Sequence, residues 1–230
     1  MEFVEFPKIA RLSRECVITE KIDGTNGQIH IIAEADFLSE YFAGVGAIGP
    51  KSIDGRVFWM LAGSRTQYIR PERDNHAFAA WVWAHAEELW ALGEGRHFGE
   101  WWGSGIQRGY GLPKGEKRFS LFNVARWHAV GTEPYVSVSA DPRQPPKFSQ
   151  PAPACCHVVP VIHRGQFDTA DIGYALDRLA HEGSAAAPGF MNPEGVIVYH
   201  TASGQYFKKT IERDEEPKSK RAGTLVAAVG

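Results

Sequence analysis

Apolar and polar positions group along the chain into short stretches of strand character and two stretches with helical spacing. Residues Cys16 to Ile32 read as strand, turn, strand, with Val17, Ile18, Ile29, Ile31 and Ile32 supplying β-branched bulk around Asp23-Gly24 and Asn26-Gly27. Both dipeptides are hairpin signals, so an opening hairpin is expected. VFWMLAGSRTQYI, residues 57–69, predicts a pair of short strands broken near Gly63, with Arg65 at their junction. RHFGEWW (96–102) and RFSLFNV (118–124) predict two more strands, separated by the glycine-rich GSGIQRGYGLPKG. EGVIVYH (194–200) and GQYFKKTI (204–211) predict a terminal strand pair.

Helical spacing appears first in HAFAAWVWAHAEELWAL (76–92), where Phe78, Trp81, Val82, His85, Leu89 and Leu92 share one side. Asp74 can cap this helix and Gly93 can end it. A second helix is expected from about Thr169 to Gly183, burying Ile172, Leu176 and Leu179. The passage around Gly44 to Pro50 and the proline-rich ADPRQPPKFSQPAPA (140–154) read as loops. Strands outnumber helices and connect mainly through turns, which predicts an α+β fold of antiparallel sheets, flanking helices and a cleft.

Composition narrows the function classes. The 230 residues are 43% hydrophobic and 23% charged, as in a globular domain with a sizeable core. Lys plus Arg number 25 against 27 for Asp plus Glu, so a polyanion site must be local, not a global positive field. Cys16, Cys155 and Cys156 are an odd set unlike a secreted disulfide framework, and the charged N-terminal MEFVEFPKIARLSRE lacks a long apolar run. A cytoplasmic protein without membrane attachment is the expectation.

Several familiar sites have no support. GxxxxGK[ST] and GxSxG are absent, and the glycines of GSGIQRGYG precede no convincing helix. Nine histidines lack paired ligand spacing, and Cys155-Cys156-His157 is too compressed for the usual zinc arrangements.

What remains is EKIDGTN, a lysine beside a tight turn and a side-chain amide. Lys21-Ile22-Asp23-Gly24-Thr25-Asn26 resembles the Lys-x-Asp-Gly acceptor motif of the covalent nucleotidyltransferases, and the asparagine resembles the phage and RNA-editing type of RNA ligase. Further elements follow in the family's order. Ser64-Arg65-Thr66 resembles the second, Gly99-Glu100-Trp101-Trp102-Gly103 with its GIQRGYG continuation the third, and RFSLFNV the adenine-stacking strand. Glu194-Gly195-Val196-Ile197-Val198 resembles the fourth, and Phe207-Lys208-Lys209-Thr210 the fifth. Two departures stand out: Phe122-Asn123 replaces a common Phe-Asp, and Lys208-Lys209 replaces a frequent Lys-x-Lys. In a strand Lys208 and Thr210 share a face that Lys209 does not.

The resemblance implies an ATP-dependent polynucleotide ligase, most of all one joining RNA ends, on a nucleotidyltransferase (ATP-grasp-like ligase) core. Lys21 is then the nucleophile that carries AMP, with Mg2+ or Mn2+ as the metal. Glu20, Ile22, Asn26, Arg65, Glu100, Phe122, Glu194, Lys208 and Lys209 become nucleotide-contacting residues, Glu194 also a metal ligand. Arg108, Lys114, Lys117 and Arg118 are candidates for strand-backbone contact. The implied partners are nucleic-acid ends with 5′-phosphate and 3′-hydroxyl. The expected organisation is one adenylation domain over 1–230 with a charged tail from about 212. No appended OB-fold is evident, so a protein partner is a candidate for supplying substrate binding. A DNA or mixed-strand ligase, and a noncatalytic nucleotide- or RNA-end-binding module, are the alternatives.

Overall fold

The computed structural model describes residues 3–6, 9–36, 46–137, 143–212 and 214. The predicted tail beyond 214 and part of the loop around Gly44 lie outside the described residues. In chain order the strands are β1 Glu15–Lys21, β2 Thr25–Ala33, β3 Ile48–Ile53, β4 Arg56–Gly63, β5 Tyr68–Ile69, β6 Gly95–Gly103, β7 Lys117–Leu121, β8 Trp127–His128, β9 Val136–Ser137, β10 Lys147–Phe148, β11 Gln150–Pro151, β12 His157–Val158, β13 Val161–Gln166, β14 Gly195–His200 and β15 Gln205–Thr210. The helices are α1 Phe78–Ala84, α2 Ala86–Leu89 and α3 Thr169–Glu182. The fold is α+β, and the long strand pairs are antiparallel, as the turn-rich pattern predicts. Two-residue pairings β11–β8 and β12–β7 are parallel.

Contacts divide the chain into two compact units, Met1–Ile22 with Pro160–Gly230, and Asp23–Val159. In the first, a sheet of order β13-β1-β14-β15 packs one face on α3. Alternation along β1 sends Cys16 and Ile18 to that face, where they meet Val196, Val198, Ala175 and Leu179. Asp168 caps α3 by accepting the Ala170 N–H at 2.9 Å, and Gly183 ends it.

In the second unit the main sheet runs β12-β7-β6-β2-β4-β3, with β5 on β4. Ile29, Ile31, Met60, Ala62, Trp101, Phe119 and Leu121 form its core face against Phe78, Ala79 and Val82 of α1. Each fully buried Ile, Met, Leu, Phe or Val among them contributes roughly 1.5–3 kcal/mol. The opposite face carries Asn26, Gln28, Phe98, Glu100, Ser120 and Phe122.

Strand β3 begins at Ile48, inside the passage read as a loop, and three larger expectations need correction. First, β1 and β2 do not form a hairpin: β1 lies between β13 and β14, whereas β2 lies between β6 and β4. A type I′ turn needs left-handed backbone at its centre, and neither Gly24 nor Gly27 adopts it. These glycines supply room instead. A Cβ on Gly24 would sit 2.5 Å from the Trp101 carbonyl oxygen, and one on Gly27 2.7 Å from the Phe78 ring. Second, the helix over 76–92 is interrupted. Asp74 does cap it, accepting Ala79 and Ala80 N–H at 2.7 and 2.9 Å, but His85 leaves helical geometry with ψ of 16°. The His85 ring lies 2.9 Å from the Trp81 carbonyl, and a 3-10 turn over Trp90–Leu92 completes the segment before Gly93. Third, β7 stops at Leu121, because Asn123 turns the chain by accepting the Arg126 and Trp127 N–H groups.

Candidate functional site

The sequence-predicted residues fall into two sets, one in each unit. In the first, the β1–β14 register pairs Lys21 with Gly195, so Glu194 sits immediately before the start of β14. Lys21 Nζ donates to Glu194 Oε2 at 2.5 Å, and the carboxylate is buried. Gly195 takes φ of 154°, and a Cβ there would lie 2.2 Å from the Lys209 carbonyl oxygen, so only glycine lets β14 and β15 close behind this pair.

Register also separates the two lysines of the fifth element. Ile197 pairs with both Thr19 and Lys208, while Val196 pairs with both Glu20 and Lys209. Directly opposed residues share a face, so Lys208 lies on the Lys21 side of the sheet and Lys209 on the α3 side. Lys209 Nζ there approaches Asp214 at 3.5 Å, and the same carboxylate accepts the Thr210 N–H at 2.8 Å.

Glu20 is also on the α3 side, only 1% exposed. Its carboxylate accepts Ser184 Oγ at 2.6 Å and the Ala186 N–H at 2.9 Å. Burial pushes this carboxyl above its usual range, and the bonds from Ser184, Ala186 and Ala185 oppose the rise. The Glu20 side chain therefore ties the loop after α3 to β1. Ile22 is buried at the end of the strand.

In the second unit Glu100 organises the DGTN turn. Its Oε1 accepts the Gly24 N–H at 3.0 Å and its Oε2 accepts Asn26 Nδ2 at 3.1 Å. Behind the turn, Tyr110 Oη accepts the Asp23 N–H at 2.8 Å, and Arg108 Nε contacts Asp23 Oδ2 at 3.2 Å. The glycine-rich segment is thus packed down through buried Ile106 and Tyr110. Arg108, a candidate for strand contact, is engaged by Asp23; Arg118 pairs with Glu116 at 2.6 Å and lies over the Trp102 ring. Lys114 is exposed and Lys117 half-buried.

Phe122 is half-buried just past the end of β7, and its N–H donates to the Phe98 carbonyl at 3.0 Å. Arg65 is exposed in the β4–β5 turn, which Ser64 closes through bonds to the Gln67 carbonyl. Elsewhere in this unit, His30 Nδ1 lies 2.6 Å from Tyr68 Oη. Burial, with help from Arg96 and His97, lowers the His30 pKa to about 4. Tyr110 lies within the GIQRGYG resemblance without a role of its own, and Ser184 and Asp214 have no sequence signal: each acts on its partner through contacts that only strand register or folding brings about.

A family model described as RNA ligase matches residues 14–211. The chain belongs to the RNA ligase family. The matched span runs from Arg14, just before β1, to Ile211, just after β15, and so contains every segment singled out in the sequence. Among solved structures it is similar to an RNA ligase from Naegleria gruberi. One variant of that protein with ATP and Mn is 14% identical, with 86% of this chain and 50% of that chain covered and a TM-score of 0.45. A second variant with ATP and Mn is 14% identical, covering 87% and 51%, TM-score 0.46. A variant with AMP and Mn is 14% identical, covering 86% and 49%, TM-score 0.44. The chain spans about half the length of these solved ligases. No curated protein matches it.

Proposed function

We propose that this RNA ligase family member joins RNA ends with ATP, through AMP carried on Lys21. The observation that supports this reading most is the Lys21–Glu194 pair at 2.5 Å, inside a chain whose residues 14–211 match the family. The Lys21 ammonium must first yield a proton, because only the neutral amine has a lone pair with which to attack. Glu194 Oε2 is within reach to accept it. The Nζ lone pair then attacks the α-phosphorus of ATP; the N–P bond forms, the bond to the bridging oxygen breaks, and pyrophosphate leaves. Lys208, on the same sheet face as Lys21, offsets the charge that develops on the phosphate oxygens.

In the second unit, Glu100 accepts a hydrogen bond from a ribose hydroxyl while holding Gly24 and Asn26. Phe122 offers its ring to adenine, and Arg65 makes charge-assisted bonds to phosphate. Among the described residues no group of three or more His, Cys, Asp or Glu side chains is placed to hold a metal by itself. One carboxylate with phosphate oxygens and water suits Mg2+ or Mn2+, so Glu194 is the residue that fits. A metal bound there would neutralise phosphate charge. AMP next passes from Lys21 to a 5′-phosphate, and attack by a 3′-hydroxyl forms the phosphodiester and releases AMP. A cytoplasmic role in RNA repair belongs to the same reading, and three cysteines without a disulfide suit a reducing compartment.

Sealing of a nicked duplex tests the reading. All-RNA ends bearing 5′-phosphate and 3′-hydroxyl should be joined in an ATP-dependent manner and not by Lys21→Ala. Joining of all-DNA ends alone would overturn the RNA assignment.

A further inference from the structure

Beyond the lysines, the Lys21 face of the first unit's sheet carries aromatic groups that the proposed chemistry does not use. Val17 of β1 pairs with Arg164 on one side and Tyr199 on the other, and Tyr199 pairs with Tyr206. This row therefore shares a face with Lys21 and Lys208, because it is offset from them by even numbers of residues. The Tyr199 and Tyr206 rings lie 4.5 Å apart between centroids at 33°. A cross-strand aromatic pair stabilises a hairpin, and that accounts for Tyr199, which is half-buried. It does not account for Tyr206, which is 64% exposed on β15, the outer strand of this sheet among the described residues. Outer strands of soluble sheets usually carry charge at such positions.

We propose that Tyr206, backed by Tyr199, stacks on a base of the RNA strand whose end is being joined. This rests on the ligase reading, and deepens it by placing a substrate contact outside the ATP site. Row to row, Lys21 and the tyrosines are four strand residues apart, about 14 Å at ~3.4 Å each. That is about four stacked nucleotides at ~3.4 Å per step. Lys208 lies between them on the same strand as Tyr206, so a cation neighbours the exposed ring, as a phosphate backbone requires. Aromatic faces interleaved with cations are the chemistry of single-strand recognition, and stacking tolerates any base.

The test is equilibrium binding of a fluorescently labelled, 5′-phosphorylated RNA oligonucleotide to the full chain, with each variant's fold checked by thermal melting. Tyr206→Ala should weaken binding by roughly 5- to 150-fold, the loss of one base–aromatic stack. Tyr206→Phe keeps the ring and should stay within about threefold of wild type. Wild-type affinity in folded Tyr206→Ala, or equal losses in the Ala and Phe variants, would overturn the stacking role. Parallel detection of AMP on the wild-type protein separates the two ideas. With AMP added and RNA affinity indifferent to Tyr206, the strip fails and the ligase reading stands. With no AMP added but Tyr206→Ala weakening RNA binding, the strip stands and the ligase reading fails.

Discussion

Gly24→Ala separates two accounts of the Lys21 turn. If Gly24 were a hairpin glycine, alanine would cost about 1–2 kcal/mol for a left-handed backbone, and the neighbouring chain would be untouched. The structure gives it ordinary backbone and no space. The added Cβ would lie 2.5 Å from the Trp101 carbonyl oxygen, 2.8 Å from Trp102 Cβ and 3.0 Å from Glu100 Cγ. None of the first two can swing aside as a flexible side-chain end would, so the turn must lift off β6. Forced overpacking of this kind costs about 1–3 kcal/mol, and the rigidity of the neighbours puts Gly24→Ala at the upper end, about 2–3 kcal/mol. For a chain of this size that lowers Tm by roughly 4–12 °C. The lift also breaks the Gly24 N–H bond to Glu100, so transfer of AMP to Lys21 should slow more than tenfold. Gly55→Ala is the control, with φ of 77° and no atom within 4 Å of its added Cβ; it should lose only about 1–2 kcal/mol and leave AMP transfer unchanged. Differential scanning calorimetry and a radiolabelled-AMP time course measure both. A Gly24→Ala protein within about 2 °C of wild type and fully active would refute the close-approach account.

Other expectations concern charge and register. His30 is held neutral with a pKa near about 4 against 6.5 ordinarily, so the unfolded chain takes up a proton that the folded one does not as pH falls from 6.5 to 4. Stability contributed by neutral His30 is complete above pH 6.5 and lost toward pH 4, by up to about 3 kcal/mol; urea unfolding across this range should show a shallower loss in His30→Gln. Ser184→Ala removes the bond to buried Glu20 and should cost about 1–3 kcal/mol by the same method, whereas an unchanged midpoint would show that the loop after α3 is not tied to β1. Lys208→Ala should slow AMP transfer tenfold or more, and Lys209→Ala by less than about threefold, because only Lys208 shares the Lys21 face; reversed effects would show that the register assignment does not carry the chemistry.

The elements themselves were legible where local chemistry repeats. Asp74, the Phe78 to Leu89 spacing and Gly93 announced the first helix, and the interruption at His85 arises from a side-chain contact that spacing does not encode. Period-two alternation separated Lys208 from Lys209, but only the shared pairing of β14 with β1 and β15 shows which one lies with Lys21. The opening turn was the largest misreading. Asp23-Gly24 and Asn26-Gly27 have hairpin composition, yet their glycines answer to Trp101, Trp102 and Phe78, many residues away. Glu20 shows the same limit, since the Ser184 hydroxyl that holds it is 164 residues distant. Motif order located the candidate residues; their supporting contacts were fixed by tertiary structure.

The central claim is a covalent bond to one atom, Lys21 Nζ. Protein first stripped of any bound AMP with pyrophosphate, then incubated with ATP and Mg2+, should gain the mass of one AMP, with the label on the Lys21 peptide and no gain in Lys21→Ala. Folded wild-type protein that gains no mass, or an adduct that persists in Lys21→Ala, would contradict the account.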